Sequence, residues 1–293
     1  MSLTAGFAKP TIPGPIQNTV APQFRMPPGA CDCHAHIFGP QSRYAYDPKR
    51  RYTPPDALIT DYVRMLTLLG VERGVLVQPS VYMTDNTALL DGLAESPIPM
   101  RGIAVVGADV SDAHLEQMNT LGVRGLRLNL RFDNGVGADI APALARRIAP
   151  LGWHLQFRIM SENYASVLRM LDDLAVDIVV DHIGQVPIED GVNGKDFQAL
   201  LKLVRTGRVW VKLSAPMRMS KHELPYSDVT PFVRELVATV PSQMLWATDW
   251  PHTTITNRMP NDGALADLLL DWIPDEATRR RVLVDNPAKR YGF

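Results

Sequence analysis

Three short runs of this 293-residue chain hold side chains that could do chemistry together. Cys31-Asp32-Cys33-His34-Ala35-His36 carries two imidazoles separated by one residue; on a strand both point to one side, about 7 Å apart along the chain. Val179-Val180-Asp181-His182 adds a third imidazole, and Thr248-Asp249-Trp250-Pro251-His252 adds a carboxylate. An aspartate beside imidazoles can take a proton from a hydroxyl or from water, which makes Asp249 the leading catalytic candidate. His34, His36 and His182 would then polarise a carbonyl and hold the oxyanion that develops on it. The same four side chains are also suitable zinc ligands, so a divalent metal is the competing chemistry.

Arginines give the clue to the ligand. Arg127, Arg158 and Arg218 fall at or just past candidate strand ends, and a guanidinium fork recognises carboxylates bidentately. Arg131 reads as a solvated charge, His114 and His222 as surface residues, and His252 as support for the site. Asp85 and Asn86 read as a helix start rather than as ligands.

These residues need a scaffold that brings distant segments to one place. Beyond residue 29, short apolar runs alternate with longer amphipathic stretches, the pattern of strands covered by helices and buried on both faces. Strands are expected at 30–37, 74–78, 101–106, 123–130, 153–159, 177–182, 209–213 and 244–248. Helices are expected at 56–69, 86–94, 111–121, 141–151, 164–174, 195–206, 226–240 and 263–272. Such an alternation fits a closed α/β barrel, the (β/α)8 TIM barrel, better than an open sheet. The polar residues named above fall at C-terminal strand ends, the face on which barrel sites are built. One catalytic domain over 30–293 is expected, preceded by an extended, proline-rich arm over 1–29.

Thirty basic against 31 acidic side chains leave a formal net charge of −1, so no global field exists to hold nucleic acid or an anionic membrane. Any anionic ligand must be met by local arginines. No stretch approaches the roughly 20 apolar residues of a membrane helix, and the N-terminus lacks a signal-like pattern. Cys31 and Cys33 are too close to cross-link distant segments and suit a reducing compartment, so a cytoplasmic location is expected. Composition sets no oligomeric state.

His-x-His after strand one, Asp-His after strand six and Thr-Asp-Trp-Pro-His after strand eight resemble the amidohydrolase superfamily, as does the ending Asn286-Pro287-Ala288-Lys289-Arg290-Tyr291-Gly292-Phe293. Pro28-Gly29-Ala30, Val77-Gln78-Pro79-Ser80, Thr84-Asp85-Asn86 and Arg124-Gly125-Leu126-Arg127 narrow the resemblance. They match the branch containing 2-pyrone-4,6-dicarboxylate lactonase and D-galactarolactone isomerase, over nearly the whole chain after about residue 27. That resemblance implies metal-independent, cofactor-free chemistry on a small anionic lactone. It implies that Arg127 and Arg218 bind a carboxylate, and that Tyr52 and Ser80 hydrogen-bond the ligand; on residue type alone, Tyr52 could pack its loop and Ser80 cap a turn. Superfamily members with two metals usually place lysine or glutamate and then histidine on strands four and five. Here those strands offer residues 126–130 and Gln156-Phe157-Arg158, with His154 near the far end. A permanent cation beside Arg127 and Arg158 is also electrostatically disfavoured.

Two positions depart from the dicarboxylate lactonase. Gln185 stands where that lactonase carries arginine, and Arg158 where an aromatic residue is usual. Relocating the positive charge suits a polyhydroxylated sugar-acid lactone better than a flat pyrone. Such a lactone carries its own nucleophile. The expected activity is therefore an isomerase of sugar-acid (galacturonate) catabolism: Asp249 deprotonates a substrate hydroxyl, which attacks the ring carbonyl and turns an aldaric 1,5-lactone, such as D-galactaro-1,5-lactone, into the 1,4-lactone. Hydrolysis of a carboxylated lactone is the runner-up, and metal-dependent decarboxylation a third reading. A barrel that only binds a sugar acid is the non-enzymatic alternative.

Overall fold

The computed structural model describes residues 9–130, 137–160, 163–170 and 173–293. Eight parallel strands follow one another around a single sheet in the order of the chain. They are β1 (Cys31–Ala35), β2 (Arg73–Val77), β3 (Met100–Ala104), β4 (Val123–Asn129), β5 (His154–Arg158), β6 (Ile178–Val180), β7 (Val209–Leu213) and β8 (Met244–Trp246). The principal helices between and after them are α1 (Ile59–Leu69), α2 (Thr87–Glu95), α3 (Asp112–Thr120), α4 (Ala141–Ile148), α5 (Tyr164–Met170), α6 (Lys195–Val204), α7 (Thr230–Thr239) and α8 (Asp262–Trp272). This is the (β/α)8 barrel. Period-two alternation divides its strands between two cores. Leu76, Leu126, Leu128, Leu155, Phe157, Ile178, Val180 and Val211 belong to the layer packed against the helices. Cys31, Cys33, Val75, Val77, Ile103, Val179, Trp210, Leu245 and Tyr291 fill the lumen. Burial on both faces explains why the strands read as continuous apolar runs.

The seam between β8 and β1 is closed by few backbone bonds. His36 N–H donates to the Trp250 carbonyl at 2.8 Å, and Asp249 N–H to that of His34 at 3.0 Å. Asp32 reinforces them from within. Its Oδ1 accepts from the backbone N–H groups of His34 and Thr248, and its Oδ2 from the hydroxyls of Thr248 and Tyr62. Burial raises this carboxyl to about 6 despite those bonds.

Strand ends differ from expectation where the site begins. β6 stops at Val180 and β8 at Trp246, because His182, Ile183, Gln185 and Asp249 take positive φ values that no strand accommodates. Helix α7 starts at Thr230 with Pro231 in its first turn. Helix α4 gives way at Ile148 to a tighter turn over Ala149–Leu151 that contains Pro150. Ser111 caps α3, its hydroxyl accepting from His114 N–H. Asp85 accepts from Thr87 N–H at the start of α2, whereas Asn86 bonds both backbone groups of Val105 and so ties that turn to the end of β3.

Residues of the N-terminal arm run along the outside of the barrel. Thr53 N–H donates to the Pro10 carbonyl and Ile12 N–H to that of Thr53, which anchors the loop holding Tyr52. Farther on, Val20 and Gln23 donate to Asn261 and Asp267 beside and within α8, and Gly29 donates to Glu72 near the base of β2. Among the described residues no helix is long and apolar enough to cross a membrane.

Candidate active site

A bulge in β1 determines where the first two imidazoles point. Asp32 pairs with Gly74 and Ala35 with Leu76, so three steps on β1 oppose two on β2. Cys31 and Cys33 therefore face the lumen below the bulge, and His34 and His36 face the mouth above it. Their Nε2 atoms are 3.3 Å apart, with the rings edge to face. His36 Nδ1 lies 2.7 Å from the Val77 carbonyl, an acceptor only, so its proton sits on Nδ1 and its Nε2 keeps a lone pair. At the end of β6 the ring of His182 comes within 4.8 Å of that of His34, and its Nδ1 lies 3.0 Å from Ser214 Oγ. Past β8, Asp249 Oδ1 sits 3.7 Å from His182 Nε2 and 3.8 Å from His34 Nε2. Both His182 (φ 55°) and Asp249 (φ 67°) occupy the left-handed region, a local cost of about 1–3 kcal/mol that is typically met at functional sites. The four expected residues thus converge from three strands.

The arginines are more committed to protein partners than residue type suggested. Arg127, buried on β4, donates through Nε and Nη2 to Asp181 Oδ2 at 3.2 and 3.0 Å. Its carboxylate partner in the fold is internal, and Nη1 donates at 3.5 Å to the Gln78 carbonyl. Arg218 donates from Nε to Asp249 Oδ2 at 2.8 Å and from Nη2 to the Thr253 carbonyl. Arg158 donates from Nε to Gln185 Oε1 at 3.0 Å, so the two positions that depart from the lactonase touch each other. Tyr52 is buried, its hydroxyl among those of Ser80 and Thr253, and burial raises its phenol; Ser80 is half-buried. His252 bonds Asp262 at the start of α8 and braces the β8 loop from behind. His154 lies at the base, its ring 5.5 Å from that of Tyr291. Gly125 makes room for it, since a Cβ there would stand 2.8 Å from the His154 carbonyl oxygen and 3.0 Å from its ring. His114 and His222 are exposed, and Arg131 lies outside the described residues.

Burial sets the charge states. It pushes His36 down to about 3, helped by Arg127, and His182 to about 3 against the pull of Asp249. His34 is also held well below the usual imidazole range, by burial and by Lys212 against Asp181. All three imidazoles are neutral near pH 7, each with one N–H. Burial would raise Asp249, but Arg218 and the facing imidazoles of His182, His34 and His36 outweigh it and hold the carboxyl below its ordinary value. Asp181 is likewise held well below, with His34, Arg127 and Lys212 overcoming burial.

Lys212, on β7, is a buried site residue that no motif marks. It is fully buried, with Nζ 2.7 Å from Gln156 Oε1, 3.3 Å from His34 Nδ1 and 3.8 Å from Asp181 Oδ1. Burial lowers its ammonium to about 8, with Asp181 opposing. The signal was its place two residues after the lumen-facing Trp210, because a lysine on an inward position of a strand must be paired. Asp181 and Asp32 adjoin motif residues in the chain, but their pairing with Arg127 and their place at the β1–β8 seam follow only from the fold.

His34, His36 and Asp249 form a group whose donor atoms lie within 4.8 Å of one another, a spacing that one divalent cation can bridge. Two features oppose it. Lys212 brings positive charge to the reverse edge of His34, and Arg218 to the second oxygen of Asp249. His34, Asp181 and His182 form a second such group, but Arg127 and Lys212 already bring positive charge to Asp181, and β4 and β5 add Arg127 and Gln156 in place of further anionic ligands.

A closed α/β barrel with imidazoles on β1 and after β6, and an aspartate after β8, defines a class of hydrolytic and related barrel enzymes. The amidohydrolase family model matches residues 31–293, and the chain belongs to that family. It is 38% identical to 4-sulfomuconolactone hydrolase of Hydrogenophaga intermedia, over 100% of this chain and 98% of the relative. It is 36% identical to 2-pyrone-4,6-dicarboxylate hydrolase of Comamonas testosteroni, over 94% and 93%. D-galactarolactone isomerase of Agrobacterium fabrum is 30% identical, over 91% and 92%. These relatives act on lactones, and lactone processing is the activity the similarity supports for this chain.

Proposed function

We propose that the chain hydrolyses a lactone bearing an anionic substituent, and does so without a divalent metal. The observation that carries this reading is Asp249 Oδ1. It is a buried, ionised oxygen that makes no hydrogen bond within the described residues, and imidazoles flank it at 3.7 and 3.8 Å. Such an oxygen fits a small hydroxylic nucleophile, and the neighbouring imidazoles fit the carbonyl to be attacked. Among the described residues, the buried cations Arg127, Arg218 and Lys212 outnumber the carboxylates Asp181 and Asp249 that face them, which favours an anionic ligand. They also supply, from the protein itself, the charge a metal would bring.

Water held by Asp249 Oδ1 attacks the acyl carbon, and its proton passes to Asp249 as the tetrahedral oxyanion forms beside an imidazole N–H. Collapse breaks the ring C–O bond, and the departing ring oxygen takes the proton from Asp249. Lactone and water become one open hydroxy acid. A carboxyl held so far below its ordinary range is a weak base, so the ligand has to raise it. An anionic substituent that draws Arg218 toward itself removes the main charge holding Asp249 down. The greater similarity to the two hydrolases than to the isomerase supports water as the nucleophile.

Ring exchange is the second reading, favoured by the Arg158–Gln185 pair and by the isomerase relative. Carbon NMR of carboxylated and sulfonated lactones in oxygen-18 water separates the two. Hydrolysis gives the labelled open acid from the first turnover. An unlabelled isomeric lactone would establish isomerisation, and no turnover of any anionic lactone would overturn both.

A further inference from the structure

We propose that Lys212 is a positioning residue that fixes which nitrogen of His34 carries the proton, so that His34 presents an N–H, not a lone pair, to the mouth of the barrel. The inference deepens the metal-free reading above, and its test does not depend on which lactone is turned over.

A neutral imidazole has one N–H, and its second nitrogen must accept. Two groups compete for Nδ1 of His34. Asp181 Oδ1 is 3.2 Å away, close enough to draw a proton onto Nδ1, but it lies outside hydrogen-bond geometry. Lys212 Nζ is 3.3 Å away and within hydrogen-bonding geometry. An ammonium can only donate. Its three protons have three acceptors around them: Gln156 Oε1 at 2.7 Å, His34 Nδ1, and more distantly Asp181 Oδ1 at 3.8 Å. With Nδ1 accepting, the His34 proton is on Nε2.

The other end of the ring agrees independently. His36 Nε2 is a lone pair, because His36 Nδ1 donates to the Val77 carbonyl. His34 Nε2 is 3.3 Å from it. Were both Nε2 atoms lone pairs they would repel; with the proton on His34 the contact is a hydrogen bond. A single direction of donation then runs from Lys212 through His34 and His36 to Val77, fixed at one end by a group that cannot accept and at the other by one that cannot donate. A substrate carbonyl entering the mouth can take over the His34 N–H, which is what oxyanion stabilisation requires. A divalent cation would need that same nitrogen unprotonated.

Long-range proton–nitrogen correlation NMR on metal-free protein labelled at histidine nitrogen tests this, with His34 assigned by the peaks lost in His34→Gln. In the wild type, Nε2 should show the shift of a protonated ring nitrogen and Nδ1 that of an unprotonated one. In Asp181→Asn the pattern should persist. In Lys212→Met the two shifts should exchange. A wild-type His34 protonated on Nδ1, or a Lys212→Met pattern unchanged from wild type, overturns the proposal. If Lys212→Met does not fold, the wild-type spectrum still decides, because a His34 protonated on Nδ1 would assign the ring to the Asp181 carboxylate, which can only accept, and not to Lys212. Failure to find a lactone substrate would count against the proposed reaction and leave these spectra untouched.

Discussion

Arg218 Nε donates to Oδ2 of Asp249 at 2.8 Å, while Oδ1 of the same carboxylate faces His34 and His182. One oxygen is paired with a guanidinium and the other makes no hydrogen bond among the described residues. In the proposed reaction Arg218 grips the anion and Asp249 moves the proton, so ligand binding and the basicity of Asp249 would be coupled through one ion pair.

Replacing Asp249 by Asn should separate chemistry from binding. The amide cannot take a proton, so kcat should fall by about 10³-fold or more, while ligand affinity changes by less than about tenfold. Steady-state kinetics with calorimetric binding of a non-reacting anionic analogue measures both. A variant that keeps most of its turnover would remove Asp249 from the chemistry. Arg218→Met should instead weaken binding of the anionic analogue, because it deletes the grip, and move the acid limb of the kcat profile to higher pH, because it removes the main charge holding Asp249 below its ordinary value.

The seam between β1 and β8 yields a stability prediction. Asp32 accepts from both strands and from α1, so Asp32→Ala leaves several buried donors without a partner and should cost about 3 kcal/mol. Asp32→Asn keeps the volume and one oxygen, and rotated hydroxyls can accept from its amide, so about 1 kcal/mol is expected. Urea unfolding reads the difference. Equal losses in the two variants would mean that shape and not hydrogen bonding holds the seam.

Much of this site was legible because its signals are local. His34 and His36 alternate on one strand, and Asp181-His182 and Asp249 punctuate the ends of apolar runs, so motif and period agree on where they stand. Pairings across the barrel were not legible. Nothing near Arg127 in the chain shows that Asp181, 54 residues on, takes its guanidinium. Nor does the run Val209–Leu213 reveal that Lys212 reaches His34, 178 residues away. The apolar runs overshoot β6 and β8 because His182 and Asp249 take positive φ; aspartate and histidine enter that region more readily than most residues, but only the assembled site requires it here.

The contact between Arg158 and Gln185 bears on which substituent is recognised. Gln185 accepts from Arg158 Nε and so fixes the plane of the guanidinium beside the mouth. Arg158→Met should raise KM for a doubly anionic lactone by about 10–100-fold, and change it little for a lactone that lacks the second anionic group. Gln185→Glu should weaken anion binding in the same direction by placing a negative charge at the same spot. Kinetics on paired lactones differing by one carboxylate or sulfonate checks this; equal losses on both would make Arg158 a general structural support.

Acid should destabilise the fold, and the sign follows from the imidazoles. His36 and His182 titrate near 3 when folded against an ordinary value of about 6.5. Between those values the unfolded chain binds protons that the folded chain refuses, so stability falls as the pH drops through that window. At pH 5 each imidazole should have lost about 2 kcal/mol relative to pH 7, and His34, displaced in the same direction, adds to the trend. Asp32 acts the other way. Raised to about 6, it takes up a proton more readily folded than unfolded, and so returns about 1 kcal/mol over the same interval. The imidazoles outweigh it. Unfolding free energies measured in urea at pH 7, 6 and 5 should decline throughout, and His182→Asn should flatten the slope by close to one proton. A stability that stays level from pH 7 to 5 would mean that the histidines are already charged inside the folded barrel, and the neutral donors assigned to the site would have to be given up.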